Sequence, residues 1–175
     1  YYTKVAKQLH PELVGQARNL AWLDIDKEGA EYWDAMELMG KYASANHHII
    51  HDSIVNVLGH PVLKQIENHH NFAWREKYHG RNVIVHRKGA TPAGEGVLGI
   101  IPGSMATLGF IVEGLGNPIS LNSTSHGAGR RMSRKAAIKK FTWKETNEFL
   151  QKQGVELLSA GLDEAPWAYK NINDV

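Results

Sequence analysis

"FAWREKYHGRNVIVHRK", residues 72–88, decides the reading of the fold. Two runs rich in aromatic and β-branched residues flank a His79-Gly80 pair, and a glycine between two such runs marks a tight turn. The stretch predicts two strands joined as a hairpin. Beyond it, "GIIPGSMATLGFIVEG", residues 99–114, continues with short apolar runs broken by glycine, and eight of the chain's seventeen glycines fall between Gly89 and Gly116. Such a density means tight turns or a backbone that comes close to a ligand, and turns are the more frequent cause.

Upstream of the hairpin the period changes from two to about 3.6. Residues from about His10 to Leu23 place Leu13, Val14, Ala17, Leu20 and Ala21 on one face, with Pro11 in the first turn, and predict an amphipathic helix. A longer helical pattern runs from about Glu28 to Leu58 and is ended by Gly59 and Pro61. Downstream, Ser133 is a fair N-cap for a helix over "RKAAIKKF", and Thr142 with Glu145 forms a capping box for a second helix that stops before Gly154. Helices, then a glycine-rich and mainly antiparallel β region, then helices again predict an α+β fold in a single domain over residues 1–175.

With 175 residues, 42% of them hydrophobic, one domain could bury roughly two-thirds of the surface its unfolded chain exposes. A net charge of +2 announces no partner by itself. The distribution says more. From Pro118 to Lys144 there is no acidic residue, while Arg130, Arg131, Arg134, Lys135, Lys139, Lys140 and Lys144 all fall there, a field suited to phosphates. No apolar run approaches the roughly 18 residues of a membrane span, and no signal peptide opens the chain, so it reads as soluble and cytoplasmic, with no membrane partner. The absence of cysteine excludes disulfides and thiolate metal ligands within the chain. The abrupt opening on "YYTKVAKQL" reads like a piece of something longer.

Three histidine groups carry candidate chemistry. His47 and His51 in "HHIIH" have the spacing of a helical metal pair but lack the glutamate of a metalloprotease motif, and are assigned to a polar helix face. His69 and His70 in "ENHHNFAW" precede a strand, so their rings should point in different directions, one as a ligand or both as structural histidines. The third is His126 in "NSTSHGAGRRMSR", residues 122–134. A free imidazole has a pKa of about 6.5, is largely neutral at pH 7, and can attack phosphorus without a separate base. Glycines on either side of Ala128 let backbone N–H groups turn toward phosphate oxygens, and the arginines after them can neutralise charge. The same residues also read as a glycine-rich turn leading into a basic helix.

Together, "NHHN", "VIVHRKGATPA", "GIIPGSMAT", "STSHGAGRRMSRKAA" and "DEAPWAYKNIND" resemble the RtcB family of RNA ligases, most specifically from Asn68 to Arg134. The resemblance implies an enzyme that uses GTP and manganese (Mn2+) to join an RNA 3′-phosphate, or a 2′,3′-cyclic phosphate opened first, to a 5′-hydroxyl, in tRNA splicing or RNA repair. By that resemblance His126 is the catalytic nucleophile that takes GMP from GTP and passes it to the RNA 3′-phosphate. His70 is a manganese ligand and Asn71 a nucleotide contact. Pro102, Gly103, Ser104 and Met105 line the guanylate site, Gly127, Ala128 and Gly129 surround the transferred phosphate, and Lys88 and Arg134 lie near RNA or substrate phosphates.

Other features depart from the family pattern. The Asp-x-x-Cys, Gly-Asn-His-Phe and His-Ser-Gly-Ser stretches that complete the family's metal site are not in the chain. Gly109 stands where a serine is expected and Ala106 where a glycine is expected. The resemblance therefore implies the C-terminal portion of an RtcB-like catalytic domain, inactive without its upstream part. The competing expectation is a noncatalytic RNA-binding module on the same fold.

Overall fold

A computed structural model describes residues 1–175, which divide into two compact units, Tyr1–Leu63 and Lys64–Val175. The boundary falls just after Gly59 and Pro61, where the helical pattern ends, although the sequence reads as a single domain.

The first unit is helical. Helix α1 spans Tyr2–Leu9 and helix α2 spans Ala30–Leu58, with a 3-10 turn at Gly15–Leu20 between them. The helix expected over residues 10–23 does not form. Pro11 disfavours the helical region for the residue before it, and His10 sits at φ −121°, ψ 64°, while Gly15 takes φ +56° and breaks the periodicity again. α2 matches its expected span, and it ends as the sequence implies: Gly59 adopts the left-handed conformation at φ +64° and donates its N–H to Val55 O at 2.9 Å. α2 buries none of its residues, and Leu38, Met39, Tyr42 and Ile49 are exposed.

In the second unit, the quoted stretch forms strands β1 (Asn71–Tyr78) and β2 (Arg81–Lys88), antiparallel, in register from Asn71 opposite Lys88 to Tyr78 opposite Arg81. The turn has φ +47° at His79 and +75° at Gly80, and positive φ at both central residues matches the right-handed twist of two-residue hairpins. Arg87, 3% exposed, fixes the hairpin to the next layer. Its guanidinium makes a bidentate pair with Glu76 at 2.6 and 3.0 Å, donates to Ser123 Oγ and Leu121 O at 2.8 Å each, and lies 4.8 Å over the Trp74 ring.

Strands β3 (Ala90–Pro92) and β6 (Ser123–Ser125) pair antiparallel, as do β4 (Leu98–Ile101) and β5 (Phe110–Glu113). The β region is thus three two-stranded antiparallel sheets, not one continuous sheet. Ile100 and Ile111, opposite each other on β4 and β5, are exposed on one face of this pair, and Phe110 is exposed on the other face, opposite the buried Ile101.

Helices α3 (Arg134–Lys140) and α4 (Trp143–Lys152) start as the sequence dictates. Ser133 Oγ accepts the Ala136 N–H at 3.2 Å, and Thr142 and Glu145 complete a reciprocal capping box. α4 turns Thr146 and Leu150 fully inward, and burial of a leucine side chain contributes about 1.5–3 kcal/mol. A separate cluster of Ile101, Ala128 and Ile172, flanked by Val112 and Tyr169, lies directly beneath the glycine-rich loop after β6.

Candidate functional site

The two antiparallel ladders meet at one residue. β1–β2 pairs Asn71 with Lys88, and β3–β6 pairs Ala90 with Ser125. One step beyond each ladder places His70 and His126 opposite the same Gly89. The Gly89 N–H donates to His70 O at 2.9 Å, continuing the first ladder. The imidazoles of His70 and His126 stack with centroids 5.1 Å apart and planes 11° from parallel, and both residues are exposed. Gly89 takes φ +72°, and a Cβ there would stand 3.4 Å from His126 Cδ2 and 3.5 Å from Nε2. A residue with no side chain thus separates the strands that carry the two histidines.

The loop after His126 is held from three sides. Ser125 Oγ donates to Gly127 O at 2.6 Å, the Ala128 N–H donates to Pro102 O at 3.0 Å, and Gly129 O accepts the Lys170 N–H at 2.9 Å. The Ala128 methyl is 3% exposed and anchors the loop in the core. With Ala128 N–H committed to Pro102, Gly127 and Gly129 supply the amides that can turn toward ligand oxygens. Buried anchoring at Gly127 and Ala128 fixes the loop in place, while Gly129 is half-buried and His126 at its start is exposed.

Pro102–Met105 reaches the loop through Pro102. Any side chain on Gly103 would overlap Thr107 Oγ1 and Leu108 O, so this turn requires glycine. Ser104 N–H donates to Thr107 Oγ1 at 2.7 Å, the Ala106 N–H donates to Ser104 Oγ at 3.3 Å, and Met105 is half-buried beside them. At 109, a Cβ would lie 3.3 Å from Pro102 Cα and 3.4 Å from Ile101 O, so the glycine keeps this turn pressed against Pro102.

Asn71 and Lys88 form a cross-strand pair one residue from His70 and Gly89, both exposed on the same face of the hairpin. Arg134 stands elsewhere. Its guanidinium bonds Asp163 Oδ2 at 2.9 Å and lies 3.2 Å from Glu164 Oε1, with 69% of its side chain exposed. Arg130 is held more firmly, donating to Met132 O at 3.2 Å, Tyr169 Oη at 3.1 Å and Glu164 Oε1 at 3.4 Å, and to Asp163 O. The structure therefore gathers His70, Asn71, Lys88, Pro102, His126 and Gly127–Gly129 and joins Ser104 and Met105 to them by a short turn, while Arg134 sits on an acidic pair.

Sequence reading gave no role to Gly89 or to Lys170, whose stem approaches Gly129: its Cδ would be 3.8 Å from a Cβ there. The signal for Gly89 was present in "HRKGA", a glycine between two strand-like runs. His69 turns away from His70 and packs on Phe72 at 5.4 Å, as expected for neighbours on an extended segment. His47 and His51 stack at 6.3 Å on α2. No group of three or more His, Asp or Glu side chains is arranged to hold a metal ion, so this chain's own donors do not fit a complete manganese site. No helix is long and apolar enough to cross a membrane.

An α+β chain with paired imidazoles at a fixed glycine-rich loop is the class of protein these features define. Within that class, the chain belongs to the RtcB family, whose model, described as tRNA-splicing ligase RtcB, matches residues 1–175. It is 37% identical over 174 residues to the RNA-splicing ligase RtcB of Escherichia coli strain K12, covering 91% of this chain and 42% of that protein. Against the tRNA-splicing ligase RtcB of Methanococcus maripaludis it is 34% identical over 212 residues, covering 100% of this chain and 43% of that protein. The tRNA-splicing ligase RtcB of Pyrococcus horikoshii is 32% identical over 184 residues, covering 85% of this chain and 21% of that protein. The chain thus spans less than half the length of the curated relatives it matches.

Proposed function

We propose that the chain is the C-terminal portion of the catalytic domain of a GTP- and manganese-dependent RNA ligase that joins RNA 3′-phosphate or 2′,3′-cyclic phosphate ends to 5′-hydroxyl ends. The observation that carries this reading is the placement of His126 at the mouth of the Gly127–Gly129 loop, beside His70 and over Gly89, in a chain of the RtcB family. An imidazole nitrogen of His126 attacks the α-phosphorus of GTP. A nitrogen–phosphorus bond forms, the bond to the β-phosphate oxygen breaks, pyrophosphate leaves, and the imidazole N–H proton passes to solvent. An oxygen of the RNA 3′-phosphate then displaces His126, so that GMP becomes the leaving group for attack by the 5′-hydroxyl. The relay suits the substrate, because a phosphate monoester has no good leaving group until GMP is attached.

The roles of the other residues follow their positions. Gly127 and Gly129 amides bind phosphate oxygens, Asn71 and Pro102–Met105 bind the nucleotide, and Lys88 draws RNA phosphate toward the hairpin. Arg134 is a phosphate contact if the nucleic acid displaces its carboxylate partners, an exchange made inexpensive by exposure, since surface ion pairs contribute only about 0–1 kcal/mol. His70 supplies one nitrogen toward manganese, with the remaining ligands supplied by the rest of the catalytic domain. The test is sealing of a 3′-phosphate RNA to a 5′-hydroxyl RNA by the intact protein, with and without GTP. GTP-dependent joining is expected; RNA binding without joining under any nucleotide and metal condition would support the noncatalytic module instead.

A further inference from the structure

The helical end of the second unit holds a groove that none of these roles uses. α3, α4 and the short turn Pro166–Ala168 border about 760 Å³, within the range of small-ligand sites. Three aromatic rings form its wall. Trp167 is half-buried between Phe141, 5.4 Å away and tilted by 40°, and Phe149, 4.9 Å away and tilted by 48°. Arg131, Lys140 and Lys152 line the same groove, with Lys140 Nζ 5.7 Å over the Phe141 ring. Two carboxylates also reach it, Glu145 and Glu148. Glu145 is held in place by Thr142, whose hydroxyl donates to Oε2 at 2.7 Å, and the groove carries three cations against two carboxylates.

We infer that this groove takes an unpaired nucleotide of the RNA substrate, near the reacting end, with its base on the aromatic wall and its flanking phosphates on Arg131, Lys140 and Lys152. The inference rests on the RNA-ligase reading and names the part of the substrate held. Flat apolar rings beside cations match a nucleobase beside phosphates, and every base offers a face for such stacking. A purely apolar occupant would leave the three cations unused. A duplex does not fit, because its bases are already stacked and only a splayed base reaches an aromatic wall.

The groove and the His126 loop share one strip of backbone. Arg131 N–H donates to Ala168 O at 2.8 Å and Lys170 N–H to Gly129 O at 2.9 Å, so residues 168–170 run beside residues 129–131. Trp167 is therefore three residues from Lys170, at most about 10 Å even at a fully extended rise, and less because Pro166–Ala168 is a 3-10 turn. The groove and the glycine loop thus sit at the two ends of one short backbone pairing.

The experiment measures affinity of the intact protein for a single-stranded RNA with a 3′-phosphate, for the same RNA with abasic positions near that end, and for a blunt duplex. Wild type, Trp167→Ala and Trp167→Phe are compared over a range of salt. Wild type is expected to bind the abasic strand roughly 10- to 100-fold more weakly than the intact strand, and Trp167→Ala to lose a similar factor on the intact strand alone. Trp167→Phe should recover most of it, and the salt slope should stay unchanged because stacking releases no counterions. Equal wild-type affinity for intact and abasic strands overturns the inference whatever the variants do. Equal losses on single strand and duplex in Trp167→Ala overturn it too, as does an unchanged single-strand affinity in that variant. A wild-type protein that binds no RNA overturns the ligase reading itself, and this inference with it.

Discussion

Replacement of Gly89 by alanine tests the site geometry, because the same added methyl has two separable effects. The first is backbone strain. At φ +72° an L side chain costs about 1–2 kcal/mol, which lowers the melting temperature by roughly 3–10 °C for a unit of this size. The second is local to chemistry. The new Cβ would stand 3.5 Å from His126 Nε2, within the roughly 3–3.5 Å shell that an attacked phosphorus must enter, and a 1 Å misplacement there costs on the order of 10²-fold in rate. Gly80→Ala is the control: φ is +75° and nothing lies within 4 Å of its Cβ, so it carries the strain without the obstruction. In the intact protein, thermal melting and the rate of GMP transfer from radiolabelled GTP are measured for both variants. Both are expected to lose similar stability, and Gly89→Ala alone to lose at least 10²-fold in transfer. Transfer at the parental rate in a destabilised Gly89→Ala protein would refute the placement of His126 over Gly89.

Four further outcomes are expected. Arg87→Met should destabilise the second unit by about 3 kcal/mol in urea unfolding, since it leaves Glu76 without its bidentate partner and removes the cation that joins the hairpin to Ser123 and Leu121. Thr142→Ala should cost about 1 kcal/mol through loss of the capping box, read as a lower urea midpoint with unchanged slope. Arg134→Ala should reduce the salt dependence of RNA binding by about one phosphate contact and leave the melting temperature nearly unchanged; an unaltered slope would place Arg134 outside the RNA path. The 175-residue chain by itself should form no GMP adduct with manganese in excess, because it gathers no set of three metal donors; robust labelling would show that further ligands are dispensable.

What could be read from the sequence was local. The His79-Gly80 turn, the Gly59 terminus of α2 and the Ser133 and Thr142 caps are each set by a few neighbouring residues, and all stand where those residues put them. The helix over residues 10–23 failed for an equally local reason that periodicity hides: apolar spacing says nothing about φ at Gly15 or the restraint Pro11 places on His10. The convergence of His70 and His126 was legible only through motif resemblance, since 56 positions separate them and the two ladders that bring them together meet at a glycine with no side chain to announce it. Arg87 escaped notice because a cation in a strand reads as exposed until its carboxylate partner, eleven residues away, is seen across the hairpin. Arg134, read as part of a uniform basic strip, meets acids from residues 163 and 164 that no local window contains.

The central claim is that His126 carries the nucleotide between GTP and RNA, and the most direct measurement is where the GMP goes. The intact protein is incubated with GTP and manganese without RNA, digested under basic conditions that preserve a phosphoramidate, and the modified peptide is sequenced by mass spectrometry. GMP is expected on His126 within residues 122–134, absent from His126→Ala and discharged when 3′-phosphate RNA is added. GMP on any other residue, or an adduct that survives in His126→Ala, would contradict it.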